Sequence, residues 1–263
     1  MKRRHLDSNE RASARSTIGR SPLFSSLPLA EFEALVARMQ ISELGENETL
    51  FGQQQPAEEF FWVQSGKIKL AVTSPEGHEK TIDIVSAGRT FAEAIMFDQR
   101  PHYPVEAMAI RPSRVWCVNV GQYSRILRAS TDACFAVMAQ MSRRLHWQLA
   151  EIDRLTLHNA TYRVVCYLLD QIPLEDSDQH SSVLELDIPK HIIASRLSIT
   201  PETLSRTFSK LIAANYIEIV DSRILLKDIV ELRKYVHIDS PVKRPCESLS
   251  GAPIDVSALR RGH

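Results

Sequence analysis

Apolar positions recur along this chain with three different periods, and the changes of period mark its parts. Residues 22–40 carry apolar side chains at helical spacing and should open the ordered fold with one or two short helices. From about Glu48 to Val120 the period becomes two. Ile68, Leu70 and Val72 alternate with Lys67, Lys69 and Thr73, and Ile82 and Ile84 flank Asp83, the pattern of half-buried strands. Residues 75–77 and the glycines at 66, 88 and 121 punctuate these strands as turns, so a small antiparallel roll or barrel is expected. From about Ala129 to Leu157 the helical period returns. Met138, Leu145 and Ile152 repeat every seven residues, with Met141, Leu149 and Leu155 near the intermediate positions, giving a seam suited to a partner helix. Phe135 is assigned to packing against the helix's own barrel. Beyond Asn159, ATYRVVCYLLDQI predicts another amphipathic helix, the polar stretch EDSDQHSS a loop, and VLELDI a strand.

Two short helices follow, between Ile188 and Ile217. Thr200 can cap the second, Pro201 suits its first position, and the Glu202 carboxylate favours the positive end of the helix dipole. Leu204, Phe208, Leu211 and Ile212 fall on one side of this helix, and Glu202, Ser205, Arg206 and Ser209 on the other. Ile192, Ile193 and Leu197 would pack the first helix, with Ala194 small enough for a close approach. The segments YIEIV and RILLK around Asp221 and Ser222 read as a hairpin, and DIVELRKYV as a closing helix. The result is a winged helix-turn-helix, a device for reading DNA. The expected α+β chain has a disordered tail at 1–20, a double-stranded β-roll at 21–128, a dimerisation helix at 129–157, the winged domain at 158–236 and a second disordered tail at 237–263.

The polar face of the second helix has the chemistry to read bases. Arg206 can donate twice to guanine O6 and N7, Glu202 can accept from a cytosine amino group, and Ser205 can reach either partner or a thymine edge. Lys190, Thr200, Thr203 and Lys210 are placed for phosphates, and His191 and Arg196 add to the same basic patch. The alternative for Glu202 and Arg206, four residues apart, is a surface ion pair worth about 0.3–0.5 kcal/mol. The formal charge of the chain is zero, from 32 basic and 32 acidic side chains, so attraction to DNA must be local.

At 263 residues with 44% hydrophobic content the chain can bury a substantial core, better read as two modest domains than one. It carries no apolar run of membrane-spanning length and no secretory signal, which predicts a cytoplasmic protein. Cys117, Cys134, Cys166 and Cys246 lie far apart; the first three are read as buried apolar residues and Cys246 as a free thiol on a tail. No nucleophile-elbow, zinc-protease or phosphate-loop motif is present, and a cupin-like metal enzyme, the remote alternative, would have only His78 and His102 among its strands. The chain is not expected to be an enzyme.

The segment ETLSR, set after LSITP, resembles the recognition helix of the Crp/Fnr regulators in its Fnr-type form, and the order of roll, long helix and winged domain matches that architecture over residues 21–236. The resemblance implies a homodimer reading an inverted repeat with TTGAT half-sites, and contact with RNA polymerase. Ser198 stands where a turn glycine is often found. RTFAEAIMFDQRPHYPVEA is similar to the family's cyclic-nucleotide cassette, with Glu93 at the place of its ribose-binding glutamate. Tyr103-Pro104 replaces the phosphate-binding Arg-Ser pair, with Arg100 displaced from it, so cyclic AMP is not the expected effector. Residues 1–30 hold no cysteine, which sets aside an Fnr-type iron–sulfur cluster. FAEAIMF, SPEGHEKTIDIV, the long helix and LSITPETLSR together look like the Dnr branch, whose members are thought to sense nitric oxide through haem and to activate denitrification genes. His146, then His158 and His102, are the candidate axial ligands. In that branch a histidine can precede the LSI segment; here Arg196 stands there. A regulator with another effector, or with none, is the competing expectation.

Overall fold

The computed structural model describes residues 1–98, 101–172, 176, 179–185, 187–221 and 223–236. Arg100, Ser222, Cys246, part of the expected loop at 175–182 and the expected tail at 237–263 lie outside these residues. The chain divides into two compact units.

The first unit comprises residues 1–72 and 83–144. A five-stranded antiparallel sheet runs in the order β1 (Lys2–His5), β2 (Gln40–Leu44), β9 (Ser113–Asn119), β4 (Glu59–Ser65), β7 (Thr90–Phe91). A four-stranded sheet runs β3 (Thr49–Phe51), β8 (Glu106–Ala109), β5 (Lys67–Thr73), β6 (Glu79–Ser86). Strand β4 is buried on both faces, and its period of two divides its side chains between two cores. Phe60 and Trp62 join a cluster with Trp116, Phe24 and Tyr123, whereas Phe61 and Val63 join Phe51, Ile68, Val85, Phe91 and Val115, contributed by both sheets. Helices α2 (Leu29–Arg38) and α3 (Val120–Ala129) pack into the first cluster through Leu35, Val36, Tyr123 and Ile126.

The N-terminus corrects the expectation of a disordered tail. Residues 2–5 extend the sheet by pairing with β2, and α1 (Ser8–Ile18) packs Ala14 and Ile18, with Leu6 ahead of it, into the first core. Only three apolar side chains do this, too few to show a period. The available signal was local: Asp7 caps the helix and Glu10, three residues on, returns the bond to the Asp7 amide. Glu10 also accepts two bonds from Arg4, at 2.6 and 2.7 Å, and one from Arg114 at 2.6 Å. These bonds draw its carboxyl from 4.5 down to about 2, the Arg4 bond most strongly. Replacing Glu10 with Ala should therefore cost about 1–3 kcal/mol, with Arg4 half exposed to water. Because the folded value is depressed, that contribution is complete above pH 4.5 and lost as pH falls towards 2. The difference in melting between wild type and Glu10→Ala should close across that window.

Helix α4 (Thr131–Leu157) shows a 3–4 alternation on its outer side. Met138, Leu145, Leu149 and Ile152 are 62, 57, 56 and 58% exposed. Phe135, expected against the barrel, is exposed in register with them, while Ala133, Val137 and Met141 face the core. Leu155 is likewise half-buried, beside Arg163 and Cys166. The exposed apolar stripe is thus Phe135, Met138, Leu145, Leu149 and Ile152, and the expected seam residues Met141 and Leu155 are not part of it. Both sides of this helix are apolar, and a one-face reading merged them.

The second unit holds residues 73–82 and, from Leu145 onward, the rest of the described chain. Helix α5 (Ala160–Leu169) precedes a sheet ordered β10 (Ser182–Glu185), β12 (Arg223–Leu226), β11 (Ile217–Val220), with α6 (Lys190–Arg196) and α7 (Pro201–Ala213) between β10 and β11 and α8 (Ile229–Tyr235) closing the domain. Val164, Leu168, Ile193, Leu204, Phe208, Leu211, Ile224 and Leu232 are buried. Among the described residues no helix is long and apolar enough to cross a membrane.

Candidate nucleic-acid interface and effector site

Helix α7 is started by its own residues. Thr200 is extended (φ −79°, ψ 156°) and its hydroxyl accepts the Thr203 amide at 3.2 Å, with Pro201 at the first helical position. Leu204, Thr207, Phe208 and Leu211 are buried, so Thr207 completes the inward face and Ile212, expected there, is 44% exposed. The outer face presents Glu202, Ser205, Arg206, Ser209 and Lys210, all exposed. The Arg206 guanidinium is steadied by a bond to the Thr203 hydroxyl at 3.3 Å. The Glu202 carboxyl lies below the usual carboxylate range, first through a hydrogen bond from Thr200, then through its own amide, with Arg206 adding to the effect. The face therefore offers a charged acceptor and a donor fork one helical turn apart.

The expected phosphate contacts divide. Lys190 is exposed at the start of α6, with His191 beside it, and Lys210 is exposed at the end of α7. Thr200 and Thr203 are turned to capping and to Arg206. Arg196 leaves the patch: it is 3% exposed, donates to Glu151 and lies over the Trp147 ring at 5.7 Å. Its partner is 45 residues upstream, beyond the reach of charge patterning.

In the roll, Glu93 opens a short 3-10 helix (Glu93–Phe97) and is buried. Its two carboxylate oxygens accept Arg144 Nη1 from α4 at 2.9 and 2.8 Å, and Thr90 Oγ1 also donates to it. The carboxylate is thus already engaged by protein donors. Tyr103 is buried, stacked 3.6 Å from Phe51, with its hydroxyl donating to the Glu59 carbonyl at 2.8 Å. Burial pushes its phenol well above its ordinary value, so it offers a cyclic phosphate neither charge nor a free hydroxyl. Around this ring lies a cleft of about 250 Å³, floored by Leu50, Phe51, Phe61 and Tyr103 and rimmed by Glu58 and the Arg3–Glu59 pair.

The three histidines are in different settings. His102 is exposed, and its backbone bridges Pro56 at the cleft wall. His146 lies on the exposed side of α4. His158 stacks on Tyr162 at 3.7 Å, with Nε2 3.3 Å from an Asp153 oxygen. Among the described residues no three His, Cys, Asp or Glu side chains are gathered for a metal ion. Cys117 and Cys166 are buried, with thiols pushed up to about 11 by that burial, and Cys134 is half-buried.

Comparison with known proteins matches the same two regions. The cyclic nucleotide-binding domain family matches residues 41–130, and the Crp-like helix-turn-helix domain family matches residues 162–235. The Cyclic AMP receptor protein of Thermus thermophilus is 25% identical over 191 residues, covering 73% of this chain and 85% of that one. A solved structure from Ruegeria pomeroyi, of a protein classed as cyclic-nucleotide-binding, is 29% identical over 87% of this chain and 99% of that one, with a TM-score of 0.61. DNR from Pseudomonas aeruginosa is 32% identical over 84% of this chain and 96% of that one, with a TM-score of 0.48. With the roll, the long helix and the helix-turn-helix in this order, the chain belongs to the Crp/Fnr family of DNA-binding transcriptional regulators.

Proposed function

We propose that this regulator acts in the cytoplasm as a homodimer on inverted repeats with TTGAT half-sites, and that it activates denitrification genes, together with RNA polymerase, in response to nitric oxide bound to haem. The observation that carries the DNA reading is the exposed row Glu202, Ser205 and Arg206 on a helix whose opposite face is buried. Two such rows related by a two-fold axis, roughly 34–36 Å apart, would meet successive major grooves. The full-length protein should retain a duplex carrying TTGAT and its inverted copy at salt concentrations that release a scrambled duplex. Equal retention of the two would overturn the half-site assignment.

The effector half rests on the sequence resemblance of the FAEAIMF and ETLSR segments and on two local facts. The Arg144 pair occupies Glu93 and the Tyr103 ring fills the place of the phosphate grip, both of which argue against a cyclic nucleotide. The cleft beside Tyr103 is where a bound porphyrin would be sought, and His102 adjoins Tyr103 in the chain. A bound haem would supply the iron to which nitric oxide binds. Titration with haemin should give a Soret band that shifts with nitric oxide, and replacing the axial histidine among His102, His146 and His158 with Ala should abolish it. A band unchanged in all three variants would remove these ligands, and no uptake at all would favour a regulator with another effector or none.

A further inference from the structure

The hairpin formed by β5 and β6 touches residues far from it in the chain. Its turn is closed by the Ser74 amide on the His78 carbonyl at 3.0 Å and the Gly77 amide on the Ser74 carbonyl at 2.9 Å. Residues 73–82 belong to the compact unit that contains the helix-turn-helix. Lys80 Nζ donates to the Ser195 carbonyl, to the Arg196 carbonyl at 3.3 Å and to Ser198 Oγ at 2.6 Å. The neighbouring Thr81 amide donates to Ser195 Oγ at 2.9 Å. Arg163 of α5 donates to the Leu197 carbonyl at 2.8 Å and to the Ser198 carbonyl at 3.3 Å. Every carbonyl from 195 to 198 therefore accepts a bond from a cationic side chain outside the helix pair.

The turn needs such support. Ser198 has φ +53°, a left-handed conformation that is strained for a residue with a Cβ. Helix α6 has seven residues and ends in this turn, so its last carbonyls depend on amides of the turn itself and on side chains for their partners. A backbone held in a sparsely populated region persists only where its surroundings over-determine it. Helix α7 begins three residues after Ser198 and is capped by its own Thr200, so its start is fixed locally and the turn sets its direction.

We infer that Lys80 is a positioning residue for DNA reading, holding the turn between α6 and α7 so that Glu202, Ser205 and Arg206 meet the groove at the required angle. This rests on the base-reading role given to α7 above.

The test uses the full-length protein with Lys80→Met, which keeps the apolar stem, Lys80→Arg, Ser198→Gly, and Lys80→Met combined with Ser198→Gly. Hydrogen exchange is followed at the amides of Leu197, Ser198 and Ile199, which are bonded to the carbonyls of Ile193, Ser195 and Ala194. Affinity is measured for the TTGAT repeat and for an unrelated duplex. Lys80→Met should speed exchange in the turn and leave that of α7 unchanged. It should weaken the repeat about tenfold, equivalent to about 1.4 kcal/mol, and the unrelated duplex by less than about twofold. Lys80→Arg should restore both readouts. Beside Ser198→Gly the loss caused by Lys80→Met should shrink below about threefold, because glycine adopts a positive φ without steric cost. Unchanged exchange in the turn, or the same tenfold loss in both backgrounds, overturns the inference. A wild type that does not prefer the repeat overturns the half-site reading instead, and the exchange measurements still decide the role of Lys80.

Discussion

Replacing Leu149 and Ile152 together with Lys should turn the proposed homodimer into a monomer that keeps its fold. Each side chain is more than half exposed in the single chain, so the substitutions remove little internal packing and introduce a good helix former, leaving the melting temperature nearly unchanged. Across a two-fold seam the same positions meet their own copies. Burying a leucine or isoleucine is worth about 1.5–3 kcal/mol, and four are lost per dimer, so dissociation should rise by more than about a hundredfold even if half that value is realised. Like charges facing each other would weaken pairing further. Sedimentation would show the change of mass, and affinity for the inverted repeat should fall with it, since a monomer engages one half-site. Leu155→Lys is the control. Leu155 sits inward beside Arg163 and Cys166, so its substitution should lower the melting temperature before it affects pairing. A wild type that sediments as a monomer, or a double variant that remains dimeric, would show that the stripe is not the interface.

That control exists because sequence and structure disagree about α4, and the disagreement has a physical source. A heptad pattern marks apolar positions but not the partner each one meets. Here Ala133, Val137 and Met141 serve the core while Phe135, Met138 and Leu145 point away from it, on the same three turns. Elements whose determinants are local were legible: the existence of the strand at Lys67–Thr73, though it is buried on both faces with Lys69 included, the Thr200 cap, and the face carrying Glu202, Ser205 and Arg206. Features set by distant partners were not. The sequence groups Arg196 with the phosphate contacts, whereas Glu151 holds it in the fold, and nothing near Glu93 announces Arg144, 51 residues on. Tyr103-Pro104 can be read from the sequence, but the stacking of that ring on Phe51 cannot. Helix α1 was missed for the opposite reason. Its capping box is local and readable, but its burial depends on three side chains scattered through a polar segment.

The sharpest test of the reading face compares two cations on α7. Arg206 lies on the exposed face with its guanidinium held by the Thr203 hydroxyl, so part of the ordering cost of a two-bond contact to guanine is met before DNA arrives. Lys210 is a turn further on and is expected to meet phosphate, where any sequence presents the same charge. Arg206→Ala should weaken the TTGAT repeat by about 1–3 kcal/mol, about 5- to 150-fold, and should relax selection at the guanine of the half-site. When that base pair is exchanged, wild type should lose affinity by a similar factor and the variant should lose almost nothing, because the contact is already gone. Lys210→Ala should instead weaken every duplex by a common factor, and the slope of log affinity against log salt should become shallower by about 0.9 for each phosphate contact removed. Fluorescence anisotropy with the two duplexes at several salt concentrations measures both effects. If Arg206→Ala weakened both duplexes equally and only the salt slope changed, Arg206 would be a second phosphate contact, and recognition of the half-site would have to come from Glu202 and Ser205 or from the shape of the DNA.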